Sequence, residues 1–298
     1  MKKKIAFIWL IFVLFTLGYL KVTQKPVLKV TMCNVGQGDA YLISYKMFEI
    51  LIDGGPNRRI LECLASAMPH FDKTIEVVIA THPDKDHVAG LEYVLTAYKV
   101  DQIITNGAEK DTAAFLGFKN AMKASTGIKT VARQGQTFSY EGVHAKILWP
   151  EEDYAKTVVL ENGKIHDISN KSALAGAKNS DDANAGSIVL RLEFGDFSAL
   201  FTGDLEIPQE QILLSSGEIR PVTLLKIGHH GSKYSTSPEF LQASSPQLAF
   251  IGVGKGNVYG HPTKRVTDLL EENHIKIYRS DQDGQVTLES DGKSIWKM

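Results

Sequence analysis

Four side chains able to bind a metal lie within six residues of Thr81-His82-Pro83-Asp84-Lys85-Asp86-His87, directly after the apolar run 75–80. Imidazole nitrogens and carboxylate oxygens are ordinary ligands of zinc and its neighbours. A turn here lets His82 and Asp84 point one way while Asp86 and His87 point another, so one segment can serve two cations. The plainer alternative is a solvated acidic turn, with Asp86 capping the next helix. It accounts for one aspartate and leaves two flanking histidines unexplained.

Three later segments offer the same chemistry: Phe201-Thr202-Gly203-Asp204, Gly228-His229-His230-Gly231-Ser232 and Tyr259-Gly260-His261-Pro262. Each also has a bland reading, as a turn aspartate, a surface pair of histidines and a loop histidine before proline. Position argues for the functional reading. Every segment follows an apolar strand, and α/β proteins place their sites at such strand ends.

The elements that must position these groups follow from periodicity and turn residues. The pattern predicts strands over 27–35, 40–45, 48–52, 75–80, 102–105, 129–132 and 144–148, with helices over 60–68, 90–97 and 113–125. A polar stretch over 151–184, poor in apolar periodicity, predicts a long loop or insertion. The second half predicts strands over 187–194, 197–201, 222–227 and 248–253, helices over 208–214, 238–243 and 263–273, and terminal strands. Two such halves can pack sheet against sheet with helices outside, a four-layered αββα sandwich.

Here the sequence resembles a known family. His82-x-Asp84-x-Asp86-His87 looks like the signature of metallo-β-lactamase-fold hydrolases. Asn34-Val35-Gly36-Gln37-Gly38-Asp39, Ile52-Asp53-Gly54-Gly55, Thr202-Gly203-Asp204 and His229-His230-Gly231-Ser232 narrow the resemblance to the extracytoplasmic hydrolase domain of ComEC-type DNA-uptake proteins. The likeness covers about residues 27–298. It implies the αββα fold, one or two metal ions and hydrolysis, with phosphodiesters as the expected substrate. Asp84 stands where most of that superfamily has a second histidine, and Asn184-Ala185-Gly186-Ser187 where it has another.

On these expectations His82, Asp84 and His229 hold one ion, Asp86 and His87 hold another, and Asp204 bridges them. Two cations about 3.5–4 Å apart can hold a water and lower its pKa towards ~7. Asp86, His230 and His261 are the catalytic candidates, the two histidines as donors to the leaving group or contacts to the substrate. Asp84 in place of an imidazole hardens the ligand set, so Mn²⁺ competes with Zn²⁺. The alternatives are a hydrolase of small esters, thioesters or lactams, and a non-catalytic binding protein with a weakened metal site.

Charge bears on the substrate. Five of the 33 basic residues precede residue 27 and no acid does, leaving 28 basic against 34 acidic residues beyond it, a balance of −6. A domain of that sign is no general polyanion binder. Lys226, Lys233, Lys255, Lys264 and Arg265 flank the second-half motifs and would form the local basic rim that a DNA or other phosphodiester substrate needs; the alternative is ordinary solvated cations.

Lys2, Lys3 and Lys4 precede a charge-free apolar run over 5–20. Sixteen helical residues span ~24 Å, close to a ~30 Å hydrocarbon core once Lys21 snorkels. Residues 1–26 are therefore expected to be a signal-anchor helix that holds the domain 27–298 on the extracytoplasmic face. Cleavage as a signal peptide, giving a secreted protein, is the alternative. Cys33 and Cys63 are too few for a disulfide framework, though one bridge between them is open.

Overall fold

The computed structural model describes Trp9, residues 26–151 and 183–298, and the backbone of two strands between them. The first sheet holds β1 (Leu28–Met32), β2 (Tyr41–Tyr45), β3 (Phe48–Ile52), β4 (Thr74–Ala80), β5 (Lys99–Thr105) and β6 (Ile128–Val131). The second holds β7 (Thr137–Tyr140), β8 (Val143–Trp149), β11 (Val189–Phe194), β12 (Phe197–Phe201), β13 (Leu224–Lys226), β14 (Leu248–Ile251) and β15 (Lys276–Arg279). Strands β16 (Val286–Ser290) and β17 (Ile295–Lys297) return to the first sheet, where β16 pairs antiparallel with β1.

Alternation along each strand builds the layers. Ile43, Ile50 and Ile79 of the first sheet meet Leu190, Phe201 and Phe250 of the second between the sheets. Their neighbours Leu51, Val78 and Ile103 face outward onto Leu64, Leu91 and Phe118, beneath α1 (Ile60–Ala67), α2 (Lys85–Ala97) and α3 (Ala113–Ala124). Leu200, Leu225 and Ala249 likewise meet Leu213, Phe240 and Val266, beneath α4 (Ile207–Ser215), α5 (Pro238–Ser244) and α6 (Lys264–Glu272). Burial on both faces explains why these strands read as unbroken apolar runs. The four αββα layers are as expected.

The halves are not separate sheets, however. Strands β7 and β8 come from the first half and join the second sheet, while β16 and β17 cross back. Within the polar stretch 151–184, β9 (Val158–Glu161) and β10 (Lys164–Asp167) pair as an antiparallel hairpin, so that stretch is not all loop. The anchor helix expected over residues 1–26 lies outside the described residues, Trp9 and Pro26 apart. Among the described residues no helix is long and apolar enough to cross a membrane.

Helix α2 starts earlier than periodicity predicts. Asp84 holds the cap position with extended backbone, which puts Asp86 and His87 in the first turn. Gly90 lets that turn lie against the end of β3: a Cβ there would stand 1.8 Å from the Gly54 carbonyl oxygen. Cys33, just after β1, is bridged to Cys63 in α1 across a Cα separation of 5.7 Å. Both cysteines are buried among apolar neighbours.

Candidate metal centre

The chemistry-bearing residues gather at the carboxyl ends of β4, β12 and β13, which lie in two facing sheets. Asp204 is the hub. Its Oδ2 lies 3.3 Å from His87 Nε2, 3.5 Å from His230 Nε2, 3.9 Å from His82 Nε2 and 3.9 Å from His229 Nε2. Ligands about 2.0–2.2 Å from one tetrahedral ion stand roughly 3.3–3.6 Å apart. Asp39, His87, Asp204 and His230 can bring one ligand atom each within 4.8 Å of one another.

Each imidazole is aimed from behind. Asp53 Oδ2 lies 2.7 Å from His87 Nδ1 and accepts at 2.7 Å from the Thr81 hydroxyl, which lies 3.1 Å from His82 Nδ1. The Thr81 backbone N–H, at 2.8 Å, fixes the other Asp53 oxygen. Consequently the Nε2 atoms of His82 and His87 face Asp204, buried and without a hydrogen-bond partner. Orphaned buried nitrogens of this kind are costly unless something absent from the protein fills the space. An imidazole Nε2 set around a carboxylate suits a divalent cation, so the donor set fits the expected metal.

His229 and His230 turn inward through backbone strain. Both have positive φ, 45° and 53°, which is unusual for non-glycine residues and common at functional sites. Glu206 then holds His229 Nδ1 at 2.9 Å, and the Gly252 carbonyl accepts from His230 Nδ1 at 2.7 Å. His230 Nε2 also lies 3.2 Å from Asp86 Oδ2.

The electrostatics reflect a site that needs positive charge. Burial opposes a proton on His87, yet Asp204 and Asp53 raise it well above the usual imidazole range. Against the same burial penalty, Asp204 and Asp39 push His230 up to about 10. Burial would raise Asp39, but Lys226 and His230 bring it down to about 2. Asp86 is held low despite its burial by the His230 hydrogen bond and the charge of His87. His82 goes the other way: burial and His87 keep it well below the usual range, as a neutral imidazole.

Of the expected residues, His82, Asp86, His87, Asp204, His229 and His230 come together. Asp84 does not join them: its Oδ1 accepts from Lys110 Nζ at 2.6 Å, because the cap backbone of α2 directs it to that lysine. His261 stands at the edge, its ring 5.6 Å from His229 and stacked on exposed Tyr259. The mid-chain substitution is also at the centre. Asn184 Nδ2 reaches 3.5 Å from His229 Nδ1, and the Asp204 N–H donates to the Ser187 hydroxyl at 3.0 Å.

Two contributors have no role assigned from the sequence, and a third, Lys226, has a different one. Asp39 and Asp53 sit in segments quoted for the resemblance but carry no ligand or support role there. Lys226 is not on a rim: it is 1% exposed and paired with Asp39 and Asp204. The rim itself is thin, since Arg265 donates to the Ser235 and Thr236 carbonyls and Lys264 pairs with Asp268. Lys233, over the exposed Tyr234 ring, and exposed Lys255 remain. A cavity of about 400 Å³ lies elsewhere, on the outer face of β8 and β11 by Lys146, Arg191 and Arg220. Arg191 there is held by Glu193 and two backbone carbonyls, and Lys146 by Glu218.

Comparison with known proteins agrees with this geometry. ComE operon protein 3 of Bacillus subtilis is 28% identical over 276 residues, covering 87% of this chain and 32% of that protein. Recombination protein 2 of Haemophilus influenzae is 27% identical over 287 residues, covering 94% of this chain and 31% of that protein. The chain thus spans about a third of the length of these relatives. Among solved structures, YhfI of Bacillus subtilis, a metallo-beta-lactamase fold protein, aligns with a TM-score of 0.53 at 12% identity, covering 92% of this chain and all of that one. CmlA, a diiron β-hydroxylase from Streptomyces venezuelae, aligns with a TM-score of 0.51 at 14% identity, covering 90% of this chain and 54% of that one. Such likeness establishes the fold and leaves the reaction to the site. A model of the metallo-beta-lactamase superfamily matches residues 33–254. That span runs from the end of β1 past β14 and encloses the whole centre apart from His261, and on it the chain belongs to the metallo-β-lactamase superfamily.

Proposed function

We propose that this chain is a divalent-metal-dependent phosphodiesterase acting on nucleic acid, held by residues 1–26 on the outer face of a membrane. The observation that carries the metal-dependent part is the pair of orphaned Nε2 atoms, of His82 and His87, facing Asp204 Oδ2. His82, His87, His229 and Asp204 would hold the ion, with His230 and Asp86 on its flank. Zn²⁺ and Mn²⁺ both suit this mixed nitrogen and oxygen set. When bound, such an ion supplies Lewis acidity to a phosphoryl oxygen and acidifies water.

The residues of the chain supply the rest. Asp53, Glu206 and the Gly252 carbonyl orient His87, His229 and His230, so the site is organised before substrate arrives. His230 is buried with both ring nitrogens engaged, which removes it as a direct contact for a leaving group. His261 is half-buried at the open side, beside partly exposed His229, and is the better placed to touch substrate. The nucleic-acid reading draws on the similarity to recombination protein 2 and ComE operon protein 3. It also draws on Tyr259, stacked on His261, and on exposed Tyr234, Lys233 and Lys255 in the segments that follow β13 and β14. Two lysines and two rings suit a strand with phosphates and bases.

The test is hydrolysis of a plasmid, a single-stranded oligonucleotide and bis-p-nitrophenyl phosphate by chelator-stripped protein with Zn²⁺ or Mn²⁺ restored. A panel of esters, thioesters and lactams runs beside it. Turnover of the diesters alone supports the proposal; turnover of the panel alone replaces it with a small-ester hydrolase. A second reading, a non-catalytic binding protein, has one observation in its favour: Asp84 is committed to Lys110 and Asn184 brings no imidazole. Inactivity on every substrate with either metal would favour it.

A further inference from the structure

Lys226 ends β13, a strand buried at every position, and its side chain is 2% exposed. It therefore cannot meet a substrate, and a buried ammonium persists only where opposite charge surrounds it. Here the ammonium is sheathed in oxygen. It pairs with Asp39 Oδ2, donates to the Gly203 carbonyl and lies 3.4 Å from Asp204 Oδ1. Two carboxylates and a carbonyl are also the donor set of a hard divalent cation.

Asp204 is thereby divided. Oδ1 turns to the ammonium, while Oδ2 turns to His82, His87, His229 and His230. Asp39 is divided too, since Oδ1 accepts from the Tyr41 hydroxyl at 2.9 Å and Oδ2 is taken by Lys226. Asp39 nonetheless belongs to the group whose ligand atoms converge with those of His87, Asp204 and His230, so the lysine and a metal would compete for it.

We propose that the Lys226 ammonium is an internal cation filling an oxygen-lined site between Asp39 and Asp204, which confines divalent metal to the imidazole side of Asp204. Lys226 is on this account a positioning residue. It fixes which Asp204 oxygen faces the metal and removes Asp39 from the ligand set. The inference rests on the reading of the cluster as a metal centre.

The test measures metal content of the full chain by elemental analysis after dialysis against Mn²⁺, for wild type, Lys226→Met and Lys226→Met with Asp39→Asn. Methionine keeps the length and apolar bulk of the lysine stem without its charge. Lys226→Met should gain about one equivalent of Mn²⁺ per chain, as a three-oxygen site becomes free, and the Asp39→Asn change should abolish that gain. Equal or lower Mn²⁺ in a folded Lys226→Met chain overturns the inference while leaving the metal centre standing. A wild type that takes up no metal overturns both. Should the variants not fold, a Mn²⁺-soaked wild-type crystal decides. Anomalous density confined to the imidazole side of Asp204 supports the inference, and density between Asp39 and Asp204 Oδ1 overturns it.

Discussion

Asp53 stands directly behind His87, its Oδ2 2.7 Å from His87 Nδ1, and so commits the opposite nitrogen to Asp204. Asp53 adopts a positive φ of 57° at the end of β3 to reach that place. Asparagine tolerates the same backbone but does not match the carboxylate as a partner of the ring. Asp53→Asn should keep the fold and weaken metal affinity about 10–100-fold, the usual cost of losing a supporting carboxylate. Competition with a chromogenic chelator measures it; unchanged affinity would contradict the orienting role.

The Cys33–Cys63 bridge ties the end of β1 to α1, with a sequence separation of 30. Closing a loop of that size stabilises a fold by about 3–4 kcal/mol. Reduction, or Cys33→Ser with Cys63→Ser, should therefore lower the denaturation midpoint by a corresponding amount, read by urea unfolding with and without reductant. Free thiols in the native chain, detected by alkylation and mass spectrometry, would contradict the bridge.

Glu49 points to a pH dependence away from the metal. Its carboxyl is buried with neither oxygen hydrogen-bonded, and burial together with Asp72 and Glu76 raises its pKa to about 8. The folded chain then binds a proton that the unfolded chain releases above the ordinary range near 4.5. Stability from this group is complete below that range and is lost as pH rises towards 8. Glu49→Gln removes the charge, so it should raise the melting temperature at pH 8.5 by several degrees and have little effect at pH 5. A shift of equal size at both pH values would sink this reading.

Tyr259 stacks on His261 and is 66% exposed. A base laid on that ring is worth about 1–3 kcal/mol. Tyr259→Ala should raise KM for an oligonucleotide substrate and leave turnover of bis-p-nitrophenyl phosphate unchanged. Parallel losses on both substrates would show that the ring supports the site instead of the strand.

Much of the centre was legible because its signals are local. His82 to His87 share one turn, and Asp204, His229 and His230 each follow an apolar strand, so strand-end logic brings them together without any knowledge of topology. Asp84 and Lys226 were misread for the converse reason. Nothing near Asp84 announces Lys110, which arrives from beyond β5. Lys226 looked like a rim cation because lysines usually are, although its place after Leu224 and Leu225 in a doubly buried strand was the available warning. The layers followed from apolar runs, whereas the exchange of β7, β8, β16 and β17 between sheets depends on long-range pairing that leaves no mark in local periodicity.

Elemental analysis of the chain with and without Asp204→Ala decides whether the cluster is a metal centre. The wild type should hold at least one Zn²⁺ or Mn²⁺ tightly and the variant almost none, since Asp204 Oδ2 is the atom on which the imidazoles converge. A folded Asp204→Ala chain that retains its metal, or a wild type that never acquires any, would contradict it.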